Sequence, residues 1–378
     1  MERRDFIRNS GLLAAGLAMG STDLPSFPTT NPAPEWKGFN LLDFFQPEPS
    51  SSSRGKTTAE HLKWMRDWGF DFIRIPIAYP YYLDIDRKQN ITPDDVYRIN
   101  HARLEEIFKL TELAQQHGLH VSLNLHRAPG YCINAGFHEP FNLWKDNAAQ
   151  EAFYWHWALF AKQFSSTSNK KLSFDLLNEP AMREDMNDQF SKSGPVPGEL
   201  YRKVAKKAAE TIRSYNKDHL VIADGNSVGN QVIPEIKDLN IIQSCRGYVP
   251  GSISHYKAPW TTKEPDKAPL PKWPGQVGNQ YLSKEMLEKY YAPWIELSKS
   301  GVGVHCGECG AWRMTPHDVF IAWFTDLTDI LKANKIGYAL WNFVGDFGIL
   351  NSGRTDVNYQ DWYGYKLDKK LLDVIRPA

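Results

Sequence analysis

The sequence predicts an α/β protein in which eight parallel strands, each followed by a helix, close into a single (β/α)8 TIM barrel. Short apolar runs alternate with amphipathic stretches from Trp36 onward, and this alternation is typical of repeated βα units. Eight units can be counted, and most of their apolar runs are largely uninterrupted, as expected of strands buried on both faces. A length of 378 residues suits one such barrel with long loops. We therefore predict one folded domain over residues 35–378.

The predicted strands are the short apolar runs. In chain order they are Gly38–Phe44, Phe70–Ile77, His120–His126, Leu172–Glu179, Leu220–Gly225, Gly251–Tyr256, Val302–Glu308 and Ile336–Phe343. Helical periodicity falls between these runs. Thr58 is expected to cap a helix that ends at Gly69, and Thr92, followed by Pro93, to cap a second helix that ends at Gly118. The other predicted helices are Ala148–Phe164, Gly198–Tyr215, Lys284–Lys299 and Pro316–Asn334.

Long loops follow the fourth, sixth and eighth predicted strands, at Ala181–Pro197, Lys257–Tyr281 and Gly345–Lys366. In a β/α barrel the loops after the strands form the face on which sites are built. Polar residues in or at the end of a buried strand are unusual in a core, and six of the eight strands have one. They are Arg74, His126, Asn178 with Glu179, His255 with Tyr256, Glu308, and Trp341 with Asn342. If the barrel forms, all of them converge on one mouth.

Glu179 and Glu308 each end an apolar run, and this pair suggests the chemistry. Cleaving an acetal in water requires one carboxylic acid to protonate the leaving oxygen and one carboxylate to attack or support the sugar carbon. Two paired carboxyl groups supply both. The sequence therefore predicts a glycosidase.

The overall charge excludes other classes. Lys and Arg equal Asp and Glu in number, so no net field favours a polyphosphate backbone, and nucleic acid is not expected as a partner. No Gly-rich phosphate loop occurs, and we expect no cofactor. The first strand, Gly38–Phe44, contains no His-x-His pair of the kind a metal-dependent barrel hydrolase would need, and no metal is expected. The oligomeric state is not predicted.

The sequence of residues 1–34 predicts an export signal followed by a disordered lead. Arg3 and Arg4 precede Phe6, Ile7 and Arg8, and a mildly apolar run over residues 11–19 follows. This resembles a bacterial twin-arginine signal, although Glu2 stands where Ser or Thr is usual. The run is too short to span a bilayer, which takes about 20 residues. We expect an exported protein, periplasmic or extracellular, without a membrane span; an uncleaved disordered tail is the alternative.

Four cysteines occur, Cys132, Cys245, Cys306 and Cys309, and they form no regular disulfide framework. Cys306 and Cys309 have C-x-x-C spacing, which redox and metal sites use. No second Cys or His pair stands at ligand spacing, so packing of free buried thiols explains them better. By strand alternation Cys306 is expected to share a face with Glu308 and to lie beneath it.

Taken in order, the strand-end residues resemble glycoside hydrolase family 5, the cellulase-like retaining β-glycosidases. That family's pattern is Arg on the second strand, His on the third, Asn-Glu-Pro on the fourth, His-x-Tyr or His-Tyr on the sixth, Glu on the seventh and Trp on the eighth. The matching residues here are Arg74, His126, Asn178-Glu179-Pro180, His255-Tyr256, Glu308 and Trp341. One element alone is weak, but the ordered set is highly specific and spans the chain from about Trp36.

The resemblance implies Glu179 as general acid/base and Glu308 as nucleophile. It implies that Arg74 and Tyr256 keep Glu308 ionised and that Asn178 binds the sugar 2-hydroxyl. It further implies roles for the aromatic and imidazole side chains: His126 would bond the sugar, His255 would bond the acid/base, and Trp341 would lie under the reacting sugar. Trp260 and Trp273, on the long sixth loop, are looser candidates for stacking a second sugar.

The implied substrate is a β-linked polysaccharide or oligosaccharide. The segment His126-Arg-Ala-Pro-Gly-Tyr131 resembles β-glucan-cleaving members more than mannanases, which favours a β-glucan. Two alternatives remain open, a β-mannan hydrolase of the same mechanism and a barrel that binds sugar without cleaving it. The presence of both glutamates argues against the second.

Overall fold

The computed structural model describes residues 31–48, 56–86, 89–134, 139, 141–185, 188 and 190–377. Most of the predicted export signal and lead therefore lies outside the described residues. Eight parallel strands pair side by side, and the eighth pairs with the first, so the predicted closed barrel is confirmed. The strands are β1 Lys37–Asn40, β2 Phe72–Ala78, β3 His120–Ala128, β4 Leu172–Asp175, β5 Leu220–Asp224, β6 Ile242–Gly247, β7 Val304–Cys309 and β8 Gly337–Leu340.

Helices surround the barrel. The longer ones are α1 Ala59–Asp67, α2 His101–Gln116, α3 Asn147–Gln163, α4 Gly198–Arg213, α5 Lys284–Lys299, α6 His317–Ala333 and α7 Lys369–Ile375. Short helices Asn226–Gly229 and Gly251–Ser254 follow β5 and β6, and strand Tyr131–Cys132 pairs with the end of β3. Three small hairpins lie in the loops after β4, β6 and β8: Met182–Arg183 with Ser193–Gly194, Gly275–Val277 with Gln280–Leu282, and Gln360–Trp362 with Tyr365–Leu367.

Helix α1 begins as its sequence predicts, and α2 does not. The Thr58 side chain accepts the backbone N–H of His61, and the His61 ring accepts the N–H of Thr58, so that both donors are satisfied. Helix α2 begins instead at His101 with Asn100 as its cap. Thr92 bonds Asp95 in a separate turn, and the chain between the two caps is held extended because Ile99 pairs with Leu83.

The prediction of a sixth strand over Gly251–Tyr256 is wrong. Residues Gly251–Ser254 form one short helical turn, and the sixth strand is Ile242–Gly247. Its sequence, Ile-Gln-Ser-Cys-Arg-Gly, contains polar residues that conceal it from a search for apolar runs. Several of those polar groups serve the barrel mouth, as described below.

The floor of the barrel is closed by rings and by the start of the described chain. Trp36 stacks on His120 with centroids 4.0 Å apart, and Phe72 packs against His305 at 4.8 Å. Below them, the Asn31 side chain donates to Val304 O at 2.7 Å and accepts from Val304 N at 2.9 Å. Asn31 therefore packs against this end of the barrel, and the open mouth lies at the other end. Within the described ranges, no helix combines the length and apolarity needed to cross a membrane.

Candidate active site

The mouth of the barrel holds two buried arginines among four carboxyl groups. Arg74 comes from β2 and Arg246 from β6, and each is 1% exposed. The carboxyl groups lie within or just after strands β4, β5 and β7: Asp175, Glu179, Asp224 and Glu308. Buried ions of one sign alone would be very costly, so the arginines and carboxylates are mutually required.

Arg74 joins β1, β4 and β7. Its Nε donates to Asp175 Oδ2 at 2.6 Å, and Nη1 donates to Glu308 Oε1 at 2.7 Å. Nη1 also donates to Asn40 Oδ1 at 3.1 Å, and the amide of Asn40 is itself held by the carbonyl oxygen of Gly307. The guanidinium group is therefore held in one orientation, with a donor aimed at Glu308.

Arg246 makes contacts of the same kind from the opposite side. Its guanidinium group is paired through two nitrogens with Asp224, with Nη1 to Oδ1 at 2.9 Å. Nε donates to Glu179 Oε1 at 3.1 Å, and Nη2 donates to Glu308 Oε1 at 3.2 Å. One planar group thus bridges the two glutamates. Burial alone would raise the pKa of Asp224, but the two arginines outweigh it and hold that pKa below its usual value.

Glu179 lies just beyond β4 in a left-handed backbone conformation, with φ of 48°. Two bonds hold this uncommon conformation: the Glu179 N–H donates to Asp224 Oδ2 at 2.9 Å, and the Tyr131 hydroxyl donates to Glu179 O at 2.6 Å. The Glu179 side chain is 16% exposed. Burial, and next the negative charge of Glu308, raise its pKa to about 7 against the opposing effect of Arg246. Glu179 can therefore carry a proton near neutral pH.

Glu308 faces the barrel interior because β7 bulges at Gly307. Cys306 pairs with Cys245 of β6, and Glu308 pairs with the very next residue, Arg246. The extra residue in β7 breaks the alternation of side chains and turns Glu308 to the inner face with Arg246. The expectation that Cys306 and Glu308 share a face is therefore wrong, since Cys306 lies with Cys245 on the other face.

We expect Gly307→Ala to damage both the fold and the site. A Cβ at this position would lie 2.6 Å from Ser244 Oγ and 3.4 Å from Arg246 Nη1, so either the bulge or the buried Ser244–Arg246 hydrogen bond would have to shift. The expected cost is about 1–3 kcal/mol of unfolding free energy, and displacement of Glu308 should lower kcat/KM by roughly 10²-fold. Urea unfolding and substrate kinetics measure these effects. Gly251→Ala, with no atom within 4 Å of the new methyl group, is the control; equal behaviour of the two variants would contradict the role of the bulge.

The hydroxyl that bonds Glu308 belongs to Tyr248. Its Oη donates to Glu308 Oε2 at 3.2 Å. Tyr256, which the sequence places in this role, follows the short helix Gly251–Ser254 and is not among the described residues that hydrogen-bond Glu308. The His255 ring packs edge-on against the Tyr248 ring, with the centroids 4.9 Å apart. Its Nδ1 is hydrogen-bonded to Ser254 Oγ at 2.8 Å. His255 thus supports Tyr248, while Arg246 holds the acid/base contact predicted for His255.

Asn178, His126 and Trp341 lie together beside the glutamates. The Asn178 Oδ1 accepts from Arg74 Nη2 at 3.0 Å and from Arg246 Nη2 at 2.9 Å, which directs its amide nitrogen towards His126 Nε2 at 3.4 Å. Burial holds the pKa of His126 well below its usual value, so the ring is neutral. The half-buried Trp341 ring lies 5.5 Å from the His126 ring.

The two tryptophans predicted to stack a second sugar lie in different surroundings. Trp260 is 37% exposed and packs edge-on against Trp312, at 4.7 Å, and against His255, at 6.0 Å. It therefore belongs to an aromatic wall that continues from Tyr248. Trp273 is buried, and its indole N–H donates to Asp326 of α6 at 2.9 Å, which makes it a packing residue outside the mouth.

The cysteines are free and buried. Cys306 Sγ donates to Glu308 O at 3.4 Å, and Cys309 Sγ donates to Ala339 O at 3.3 Å. Within the described ranges no three His, Cys, Asp or Glu side chains converge as a metal site would require.

Sequence reasoning missed Arg246, Tyr248, Asp175 and Asp224. The two aspartates were inside recognised strand ends, and their burial among apolar residues was an available signal. Arg246 and Tyr248 were hidden by the misplaced sixth strand. The Arg-x-Tyr spacing of Arg246 and Tyr248, at the end of Ile242–Gly247, is a departure from His-x-Tyr that could have identified them.

Comparisons with known proteins agree with this geometry. The family model described as cellulase (glycosyl hydrolase family 5) matches residues 27–346. Endoglucanase C of Acetivibrio thermocellus is 24% identical over 328 residues, which are 80% of this chain and 89% of that protein. Cellodextrinase A of Ruminococcus flavefaciens is 24% identical over 277 residues, which are 73% of this chain and 75% of that protein. A crystal structure described as that of a glycoside hydrolase is 34% identical, with a TM-score of 0.80, and covers 90% of this chain and 98% of that one.

Proposed function

Because this chain belongs to the cellulase family, glycosyl hydrolase family 5, we propose that it hydrolyses a β-linked glucan with Glu308 as nucleophile and Glu179 as acid/base. The family resemblance in the sequence is confirmed, and the chain is a glycoside hydrolase of a retaining family. The observation that carries the proposal is the pair of glutamates bridged by Arg246, at 3.1 and 3.2 Å. Retention needs carboxyl groups about 5–5.5 Å apart, and groups that share one guanidinium lie close together.

In the first step Glu308 attacks the anomeric carbon and Glu179 gives its proton to the leaving oxygen. The bond from carbon to the glycosidic oxygen breaks as the bond to Glu308 forms. Glu308 Oε1 is held by both arginines, whereas Oε2 accepts, among the residues that the structure describes, from the Tyr248 hydroxyl alone, at 3.2 Å. Oε2 is therefore the oxygen that is freer to attack. With its pKa raised to about 7, Glu179 retains the proton that this step needs.

In the second step water replaces Glu308. Glu179, now a carboxylate, takes a proton from the water as its oxygen bonds to the anomeric carbon, and the bond from that carbon to Glu308 breaks. Two inversions give net retention. Asn178, whose orientation both arginines determine, lies where it can bond the sugar 2-hydroxyl, and Trp341 provides an aromatic surface for the sugar face.

The choice of β-glucan rests on the relatives and on one sequence segment. Endoglucanase C and Cellodextrinase A are named for glucan-chain substrates. In this chain Tyr131, which ends the segment resembling β-glucan-cleaving members, bonds the backbone of Glu179 at 2.6 Å. That segment therefore lies against the catalytic residue.

Product release from a panel of polysaccharides tests the proposal. The panel contains β-1,4-glucan, mixed-linkage β-glucan, β-1,3-glucan and β-mannan, with sugars separated by chromatography. We expect cleavage of at least one glucan and weaker cleavage of mannan. Preferred cleavage of mannan would overturn the glucan assignment, and binding without any cleavage would favour a sugar-binding barrel.

We also propose that residues 1–34 direct export by the twin-arginine route, since Arg3 and Arg4 precede an apolar run. We expect the Arg3→Lys and Arg4→Lys double variant to remain in the cytoplasm of a bacterial host while the unaltered chain is exported. Fractionation with activity assays measures this. Equal export of both forms would contradict the twin-arginine assignment.

A further inference from the structure

Arg246 occupies a position where the family resemblance leads one to expect histidine. The family pattern on the sixth strand is His-x-Tyr, and in this chain Tyr248 supplies the hydroxyl that bonds Glu308 at 3.2 Å. The residue two before it is Arg246, in Arg246-Gly247-Tyr248. An imidazole offers two ring nitrogens and can be neutral near pH 7, whereas a guanidinium group offers five donors and remains charged. The replacement therefore puts a permanent positive charge between the two glutamates.

The surrounding structure is built to hold that charge. Asp224, which is fully buried, pairs with two nitrogens of Arg246, and Ser244 Oγ accepts from Nη1 at 3.1 Å. Gly229 has φ of 77°, and a Cβ there would lie 2.5 Å from Arg246 Cγ, so the glycine leaves space for the arginine stem. Tyr291 of α5 anchors the strand by donating to Arg246 O at 2.8 Å. These contacts make the arginine an integral part of the site.

We propose that Arg246 supplies the fixed positive charge that allows Glu179 to act as the base of the second step, once the charge of Glu308 has been lost to the bond with sugar. Arg246 can have this role only if Glu179 and Glu308 act as proposed above. Its Nε lies 3.1 Å from Glu179 Oε1 and its Nη2 lies 3.2 Å from Glu308 Oε1, so it interacts with both reacting groups.

The charge balance around Glu179 changes during the reaction. The titratable and charged groups that interact with it come from β5, β6, β7 and the loops after β3 and β6: Asp224, Arg246, Glu308, Tyr131 and Tyr248. Arg74 of β2 reaches the same cluster through Glu308 at 2.7 Å. In the free enzyme the negative charge of Glu308 favours the protonated acid. Once Glu308 is bonded to sugar that charge is gone, and the charge of Arg246 remains.

The consequence is a fall in the pKa of Glu179 at the moment when a base is needed. Burial and Glu308 raise this pKa in the free enzyme, and Arg246 lowers it. The pKa of Glu179 therefore falls when Glu308 loses its charge, and it would rise if Arg246 were replaced by a neutral residue. Loss of the arginine charge should therefore move the titration of Glu179 to higher pH in both steps.

Two variants of Arg246 separate charge from packing. Arg246→Gln has no charge, and Arg246→Lys keeps the charge without the planar fork. Two substrates report the two steps: kcat/KM on cellotetraose requires protonated Glu179, and kcat on 2,4-dinitrophenyl β-cellobioside, whose leaving group needs no acid, requires ionised Glu179. In Arg246→Gln we expect two changes of about one pH unit towards higher pH. The alkaline limb of the pH profile of kcat/KM on cellotetraose should move, and so should the acid limb of the pH profile of kcat on the dinitrophenyl substrate. In Arg246→Lys both limbs should stay near their wild-type positions although rates fall.

A purely structural role would lower the rates at every pH and leave both limbs in place. Unmoved limbs in Arg246→Gln, or equal movement in Arg246→Lys, would overturn the proposal. A wild type that cleaves neither substrate would instead contradict the proposed function. These two failures are therefore distinguishable.

Arg246→Gln leaves Asp224 without its main partner, and it can fail to fold for that reason. The double variant Arg246→Gln with Asp224→Asn removes the buried ion together with its partner. Carbon-13 NMR of labelled glutamate gives a further check, with the wild type and the double variant both trapped with a 2-deoxy-2-fluorocellobiosyl group. A higher pKa of Glu179 in the trapped double variant than in the trapped wild type supports the proposal, and an equal or lower pKa overturns it.

Discussion

Glu308→Ala is expected to abolish glucan cleavage, with kcat/KM lowered by at least about 10⁴-fold, as losses of a covalent nucleophile are. Glu308 is 3% exposed and faces inward because of the bulge at Gly307. Neither buried aspartate of the site can replace it. Asp175 is bonded to Arg74, and Asp224 is paired with Arg246. Initial-rate assays on the preferred glucan measure the loss.

The fold of this variant must be checked because Glu308 offsets buried positive charge. Arg74 and Arg246 both donate to Glu308 Oε1, so its removal leaves two guanidinium groups with one partner fewer. Glu308→Gln keeps the shape and most of the hydrogen bonding, and it should be as inactive as Glu308→Ala with a smaller loss of thermal stability. Substantial cleavage by a correctly folded Glu308→Gln enzyme would exclude Glu308 as the nucleophile.

The sequence predicted the barrel well where strand and helix signals were strong. Thr58 and the glycine at the end of α1 determine a helix by local chemistry alone. The sixth strand failed because Gln243, Ser244 and Arg246 make it polar. Gln243 accepts a hydrogen bond from Ile233 N, and Arg246 donates to Asp224. Such contacts with distant parts of the chain cannot be predicted from the sequence of one strand.

The candidate site was predictable as a set of residue types and only partly as a geometry. Arg74, Asn178, Glu179 and Glu308 meet at one mouth, as barrel topology requires for residues at strand ends. The inward position of Glu308 depends on a one-residue bulge, and simple alternation puts it on the wrong face. Small irregularities of register therefore decide which side chains reach the substrate.

The electrostatic design follows from the same geometry. Two arginines face four carboxyl groups, so positive charge is in deficit and a carboxyl group there can keep its proton. Burial is the main cause that raises the pKa values of Asp175 and Glu179, both to about 7. The Asp175 side chain is 2% exposed and is bonded to Arg74, whereas the Glu179 side chain is 16% exposed. Only the Glu179 proton is therefore accessible to a substrate, which is the condition for a general acid.

Glu179→Ala should lose roughly 10²–10⁴-fold on glucan, whose leaving oxygen needs a proton, but should keep fast first-step chemistry on 2,4-dinitrophenyl β-cellobioside. The glycosyl-enzyme then accumulates, because no base activates water. Azide needs no base, and we expect it to restore turnover and give a glycosyl azide of retained configuration, identified by proton NMR. Glu184→Ala, on the same loop and exposed, is the matched control and should behave as wild type. A product of inverted configuration from Glu179→Ala would show that the two glutamates have the opposite roles, since azide would then occupy the space of the nucleophile.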